Sequence, residues 1–208
     1  TDLARLIALL HDIGRFEQLK RYDSFEPGTM DHAAYGVKVL FDEGMIRRFL
    51  PEDKWDSIIY TAIAHHSDYE LPEISDPQTL LHAKLIRDED KLDNCRVKLV
   101  DSTSTFINVS EEELGTQNIT QKVYETVFKN KCILSADRVT QMDYWISYIV
   151  YFFDINFKES FDIIAENDYL NRIIDRISYS NPVTKEQMEE IRVYMQNFIN
   201  SHTNSRLS

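Results

Sequence analysis

Turn-forming residues are scarce, with five glycines and five prolines in 208 positions. A many-stranded sandwich or barrel needs such residues every few positions, so their scarcity favours long helices. Cysteine is scarcer still. Cys95 and Cys132 lack CxxC spacing, which excludes a disulfide framework and points to free thiols in a reducing cytoplasm. No apolar run reaches the roughly 20 residues of a membrane span. The longest, Tyr144 to Phe153, is broken by Ser147. No secretory leader pattern is present, and no membrane partner is expected. Basic residues are outnumbered 23 to 35, for a net charge of −12, and they form no tract. Backbone binding of duplex nucleic acid is therefore disfavoured.

What is present is an ordinary globular composition, 43% hydrophobic and 28% charged, on a chain long enough for one real core. Leu3, Leu6, Ile7 and Leu10 recur at helical spacing, and Gly14 ends that helix just after His11-Asp12. Phe16 to Met30, containing Pro27 and Gly28, is expected to be a loop. Asp31 or Thr29 caps a second helix, His32 to Phe49, with Gly36 one turn after His32, where a small side chain permits close approach. Pro51 to Lys54 is the expected first turn of a third helix leading to His65-His66. A fourth runs from about Gln78 to Val100. Ser102 to Thr120 is expected to be a loop with a short helix at Glu111 to Glu113. Five further helices follow: Gln121–Asn130, Asp137–Phe153, Asn156–Glu166, Asp168–Tyr179 and Pro182–Asn200. The last of these carries a capping-box pattern at Thr184 to Gln187. The aromatics Tyr144, Trp145, Tyr148 and Tyr151 to Phe153 are expected to pack the later helices on the first four. A frayed polar tail ends the chain. The expectation is an all-α bundle.

Several residues carry chemistry: His11-Asp12 at a helix end, Asp31-His32 at a helix start, the doublet His65-His66, and the run Asp88-Glu89-Asp90-Lys91-Leu92-Asp93. Imidazole and carboxylate together suit zinc, iron or manganese better than calcium. Each part has a plainer reading. His65 and His66 are placed to cap a helix C-terminus, His32 to sit on the surface, and the aspartates to form a solvated face. His82, on about the face of Asp90, is structural or supports a ligand. Their order, spacing and apolar carriers favour metal binding.

That order resembles the HD-domain superfamily of metal-dependent phosphohydrolases. Leu9-Leu10-His11-Asp12-Ile13-Gly14-Arg15 is similar to its His-Asp doublet, and Glu89-Asp90-Lys91-Leu92-Asp93 to its distal aspartate segment. Asp31-His32-Ala33-Ala34-Tyr35-Gly36 and His65-His66 resemble the added histidines of dinuclear members. The resemblance implies an HD core in residues 1–100, with residues 101–208 a helical extension packed on it in one compact domain. It implies two metal ions (Fe, Mn or Zn). His11, Asp12 and Asp90 hold one together with a histidine on a helix upstream of Thr1, and Asp12, His32, His65 and His66 hold the other. Asp12 bridges, Arg15 binds substrate phosphate, and Lys91 and Arg87 are weaker candidates for that role. The Gly-Tyr-Pro signature of the cyclic-dinucleotide branch is absent after His66.

The expected activity is hydrolysis of a phosphate ester, mono- or diester, with a nucleotide among the candidates. A metal pair lowers the pKa of a water and clamps phosphoryl oxygens. The resemblance leaves two alternatives open: a dinuclear-iron oxygenase and a non-catalytic nucleotide sensor. The expected partner is a small phosphorylated molecule, with self-association of the chain left open.

Overall fold

The computed structural model describes residues 1–25 and 28–203. Pro27 of the expected loop and most of the polar tail lie outside the described residues. The fold is all-α, with no strand among the described residues. None of the described helices is long and apolar enough to cross a membrane.

The chain divides into two compact units, Thr1–Asp90 and Lys91–Ser208. The first begins with α1 (Asp2–Leu10), where the Thr1 hydroxyl accepts from Ala4 N. The helix buries Ile7 and Leu10 and stops at His11. Residues Asp12 and Ile13 turn the chain into α2 (Gly14–Tyr22), where a loop was expected. The stretch after Gly14 contains no helix breaker. Glu17 stands in the first turn, Lys20 and Arg21 in the last, and Glu17 pairs with Arg21 at 2.7 Å. Asp23 stops the helix in the left-handed region, φ 48°. The helix escapes notice in the sequence because it buries only Gly14 and Gln18, so it has no apolar stripe.

The expected helix from His32 to Phe49 is broken. α3 (His32–Val37) runs into a π-helical turn, Lys38–Asp42. Gly44, at φ 75°, then resets the chain into a 3₁₀ turn, Met45–Arg48. α4 (Asp56–Ala64) starts later than Pro51, after a turn closed by Asp56 N on Asp53 O. α5 (Pro77–Val100) follows, and the boundary between the units falls within it. The core of the first unit is Ile7, Leu10, Leu40, Ile59, Ile63 and Ile86 with their neighbours.

The second unit continues through α6 (Thr103–Ile107), α7 (Glu111–Thr116), α8 (Gln121–Val127), α9 (Gln141–Val150), α10 (Lys158–Glu166), α11 (Tyr169–Asp175) and α12 (Pro182–Thr203). α7 covers the short helix expected at Glu111 to Glu113, and α6 replaces part of the loop expected after Ser102. The capping box lies at Thr140 and Asp143, at the start of α9, and not at Thr184. α12 is capped by Asn181, whose Oδ1 accepts from Val183 N (3.0 Å) and Thr184 N (3.3 Å). Thr184 is one turn too late to cap. It is fully buried and donates to Gln117 O. Trp145 and Phe152 are buried in one cluster with Met188, Ile191 and Cys95 of α5, so these aromatics pack the later helices on one another and on the C-terminal part of α5.

Candidate metal centre

Three backbone ends meet in the first unit because two glycines let them. A Cβ on Gly14 would stand 2.0 Å from His32 O and 3.0 Å from Gly36 N. A Cβ on Gly36 would meet Ile13 Cγ2 at 3.3 Å. The close approach expected at Gly36 is therefore an approach of the Ile13-Gly14 backbone. It sets the first turn of α3 against the segment that carries His11 and Asp12. Asp31 fixes that turn by accepting from Ala34 N at 2.9 Å.

The side chains that converge are His11 and Asp12 after α1, His32 at the start of α3, His66 after α4, and Asp90 on α5. His32 Nε2 lies 3.0 Å from His66 Nε2. Asp12 Oδ1 lies 3.3 Å from His32 Nε2 and 3.4 Å from His66 Nε2. His11 Nε2 lies 3.7 Å from Asp12 Oδ2 and 3.8 Å from Asp90 Oδ1. One donor atom from each of His11, Asp12 and His66 falls within 4.8 Å of the other two.

The ring orientations match those of ligands. His11 Nδ1 donates to Ala8 O at 2.8 Å, and His66 Nδ1 donates to Ile63 O at 2.7 Å. In the neutral ring that bond leaves Nε2 as the unprotonated nitrogen, which is how a metal-binding imidazole is usually held. His65 is held by a bond of the same kind, to a side chain. Its Nδ1 lies 2.6 Å from Asp68 Oδ2, which leaves Nε2 as the ring atom for any metal.

Two buried atoms of the cluster, His11 Nε2 and Asp12 Oδ1, have no hydrogen-bond partner among the described residues. A buried acceptor without a partner is costly. Donors about 2.1 Å from one cation, at octahedral to tetrahedral angles, stand about 3.0 to 3.4 Å apart. The His32, His66 and Asp12 atoms have that spacing. The nitrogen and oxygen donor set suits a divalent transition metal.

Charge within the cluster shifts its own titration. Burial alone would raise the Asp12 carboxyl, but His32 and His66, then His11 and Arg15, hold it well below the usual range. Burial likewise opposes the ionised Asp90, but His11 and His66 together outweigh it, so Asp90 is also lowered. Burial disfavours the His11 imidazolium, yet Asp90 and Asp12 raise its pKa overall. At His32 burial prevails over Asp12, and the ring is lowered towards its neutral form.

Arg15, on the first turn of α2, places Nε 3.4 Å from Asp12 Oδ1, with its side chain about one-third exposed (32%). Lys91 belongs to the second unit, where Nζ pairs with Asp154 Oδ2 at 2.7 Å. Arg87 is buried on α5 and donates Nη1 to His65 O (3.0 Å), His66 O (3.3 Å) and Asp68 O (2.7 Å). It clasps the segment that carries the doublet. The acidic run is mixed: Asp88 is buried, whereas Asp93 is exposed and pairs with Arg96. His82 is buried, and its Nδ1 has no hydrogen-bond partner among the described residues. Sequence reasoning missed Gln18, which is fully buried and bonded to Arg15. Its only signal was a helix-forming stretch without an apolar stripe.

Residues 1–95 match the family model described as HD domain. No curated protein and no solved structure shows significant similarity to the chain.

Proposed function

We propose, from the match of residues 1–95 to the HD-domain family model, that this chain is a metal-dependent hydrolase of phosphate esters. HD domains bind divalent metals and are commonly hydrolases. The observation that supports the reading here is the convergence of donor atoms around Asp12, with His11 Nε2 and Asp12 Oδ1 buried and lacking hydrogen bonds among the described residues.

His11, Asp12, His32, His66 and Asp90 would hold the metal, with His65 Nε2 as a further donor. A bound divalent transition metal would supply an acidified water and neutralise charge on the phosphoryl oxygens. The chain's own residues do the rest. Asp12 has Oδ2 towards His11 and Oδ1 towards His32 and His66, so one carboxylate serves both groups of histidines. Its depressed pKa keeps it ionised at neutral pH. His32, held towards the neutral form, adds a donor without adding charge. Arg15 presents a planar fork at the edge of the cluster, where it matches two phosphoryl oxygens. The substrate class is a small phosphorylated molecule, and nucleotides fall within it.

The test is hydrolysis of p-nitrophenyl phosphate and bis(p-nitrophenyl) phosphate with added iron, manganese or zinc. Turnover of either ester should require metal and disappear in Asp12→Ala. Turnover that persists after chelation, or at full rate in Asp12→Ala, would remove the reading.

A further inference from the structure

Gln18 is fully buried, which a primary amide tolerates only when hydrogen-bonded. It lies one turn after Arg15 on α2. Its Oε1 accepts from Arg15 Nη1 at 3.1 Å, and its Nε2 donates to Thr29 Oγ1 at 2.8 Å. Thr29 stands two residues before Asp31, the cap of the helix that begins with His32. The amide thus ties the Arg15 guanidinium to the stretch of chain that leads into α3. On its other sides the guanidinium meets Asp12 and, at 6.0 Å from the ring centroid, Phe25.

We infer that Gln18 is a positioning residue for Arg15, fixing the guanidinium fork at the rim of the cluster and so setting its affinity for phosphate. The inference rests on the reading of Arg15 as the phosphate ligand. An arginine side chain has many rotamers, and one buried acceptor on a rigid helix selects among them. Neutrality matters as much as reach. A carboxylate at this position would also accept from Arg15, but it would cancel the charge that attracts phosphate. A residue needed only for packing would leave phosphate affinity independent of whether Arg15 is present.

The probe is inorganic phosphate, titrated calorimetrically into metal-loaded wild type, Gln18→Met, Gln18→Glu, Arg15→Met and the Gln18→Met/Arg15→Met double variant. Gln18→Met keeps the side-chain length and removes both hydrogen bonds. It should weaken phosphate about tenfold, equivalent to about 1.4 kcal/mol, and raise KM for p-nitrophenyl phosphate with little change in kcat. It should have no further effect in the Arg15→Met background, and metal content should stay at the wild-type level. Gln18→Glu should also weaken phosphate, and it carries the test if Gln18→Met does not fold. Unchanged phosphate affinity in either Gln18 variant, additive losses in the double variant, or loss of metal in Gln18→Met would overturn the inference. If Arg15→Met binds phosphate as well as wild type, the Arg15 reading fails first and the positioning role falls with it.

Discussion

Each unit contains an aspartate surrounded by polar groups, and the two are used in opposite ways. Asp143 in the second unit is fully buried and accepts from Thr120 N (2.9 Å), Val139 N (3.0 Å) and Thr140 N (3.1 Å). Its bonds are all to backbone, and they tie the start of α9 to residues 139 and 140 and to Thr120 at the start of α8. Asp12 in the first unit faces His32, His66, His11 and Arg15, yet its buried Oδ1 has no hydrogen bond among the described residues. The difference teaches that burial of a carboxylate does not identify a site. A structural carboxylate is satisfied by backbone, whereas Asp12 is surrounded by groups that themselves need a cation or a proton.

That contrast can be broken most severely at Asp143. Asp143→Ala leaves three backbone donors unpaired and should cost about 4 kcal/mol, read from urea unfolding. Asp12→Ala should cost the metal-free protein less than this while removing metal binding. The opposite ranking would contradict the division of roles.

Next in size is Gly14→Ala. The added methyl meets the His32 carbonyl, so the backbone must move, at about 3 kcal/mol. Unlike a core substitution in the second unit, it should lower metal content as well as stability. Elemental analysis beside urea unfolding separates the two effects.

Chelation should act on the first unit's site. Metal at 100 times its Kd should stabilise the wild type by about 2.7 kcal/mol, lost on chelation. Asp12→Ala should show no such difference in thermal unfolding.

The smallest effect belongs to the second unit's thiol. Burial pushes the Cys95 thiol up to about 12. A raised acid pKa means that its contribution to folding is complete below the ordinary thiol value of about 8.5 and fades as pH rises towards 12. Cys95 should therefore resist thiol reagents at pH 8 until the protein unfolds. Modification of both cysteines in the folded protein would contradict this.

The sequence made the carriers of the site legible because they are apolar helices with polar ends. His11 and Asp12 follow a clean helical period, and Asp31 is a standard cap ahead of His32. The all-α class followed from the missing turn residues. What stayed hidden lacks an apolar period. α2 buries one glycine and one glutamine, so its helical nature and the bond from Gln18 to Arg15 leave no hydrophobic trace. The break at Gly44 depends on a positive φ that one glycine in a helical run does not announce. Arg87, a weaker candidate for phosphate, donates to the carbonyls of His65, His66 and Asp68, a contact that no pattern of side chains reveals. Thr184 fitted a capping box by spacing, and Asn181, three residues earlier, caps instead.

The most direct measurement is transition-metal content per chain, by elemental analysis of the freshly purified protein and of Asp12→Ala prepared identically. One to two equivalents of iron, manganese or zinc in the wild type, falling to a trace in Asp12→Ala, is the predicted result. No bound metal in the wild type even after anaerobic reconstitution, or equal content in both proteins, would contradict the metal centre around Asp12.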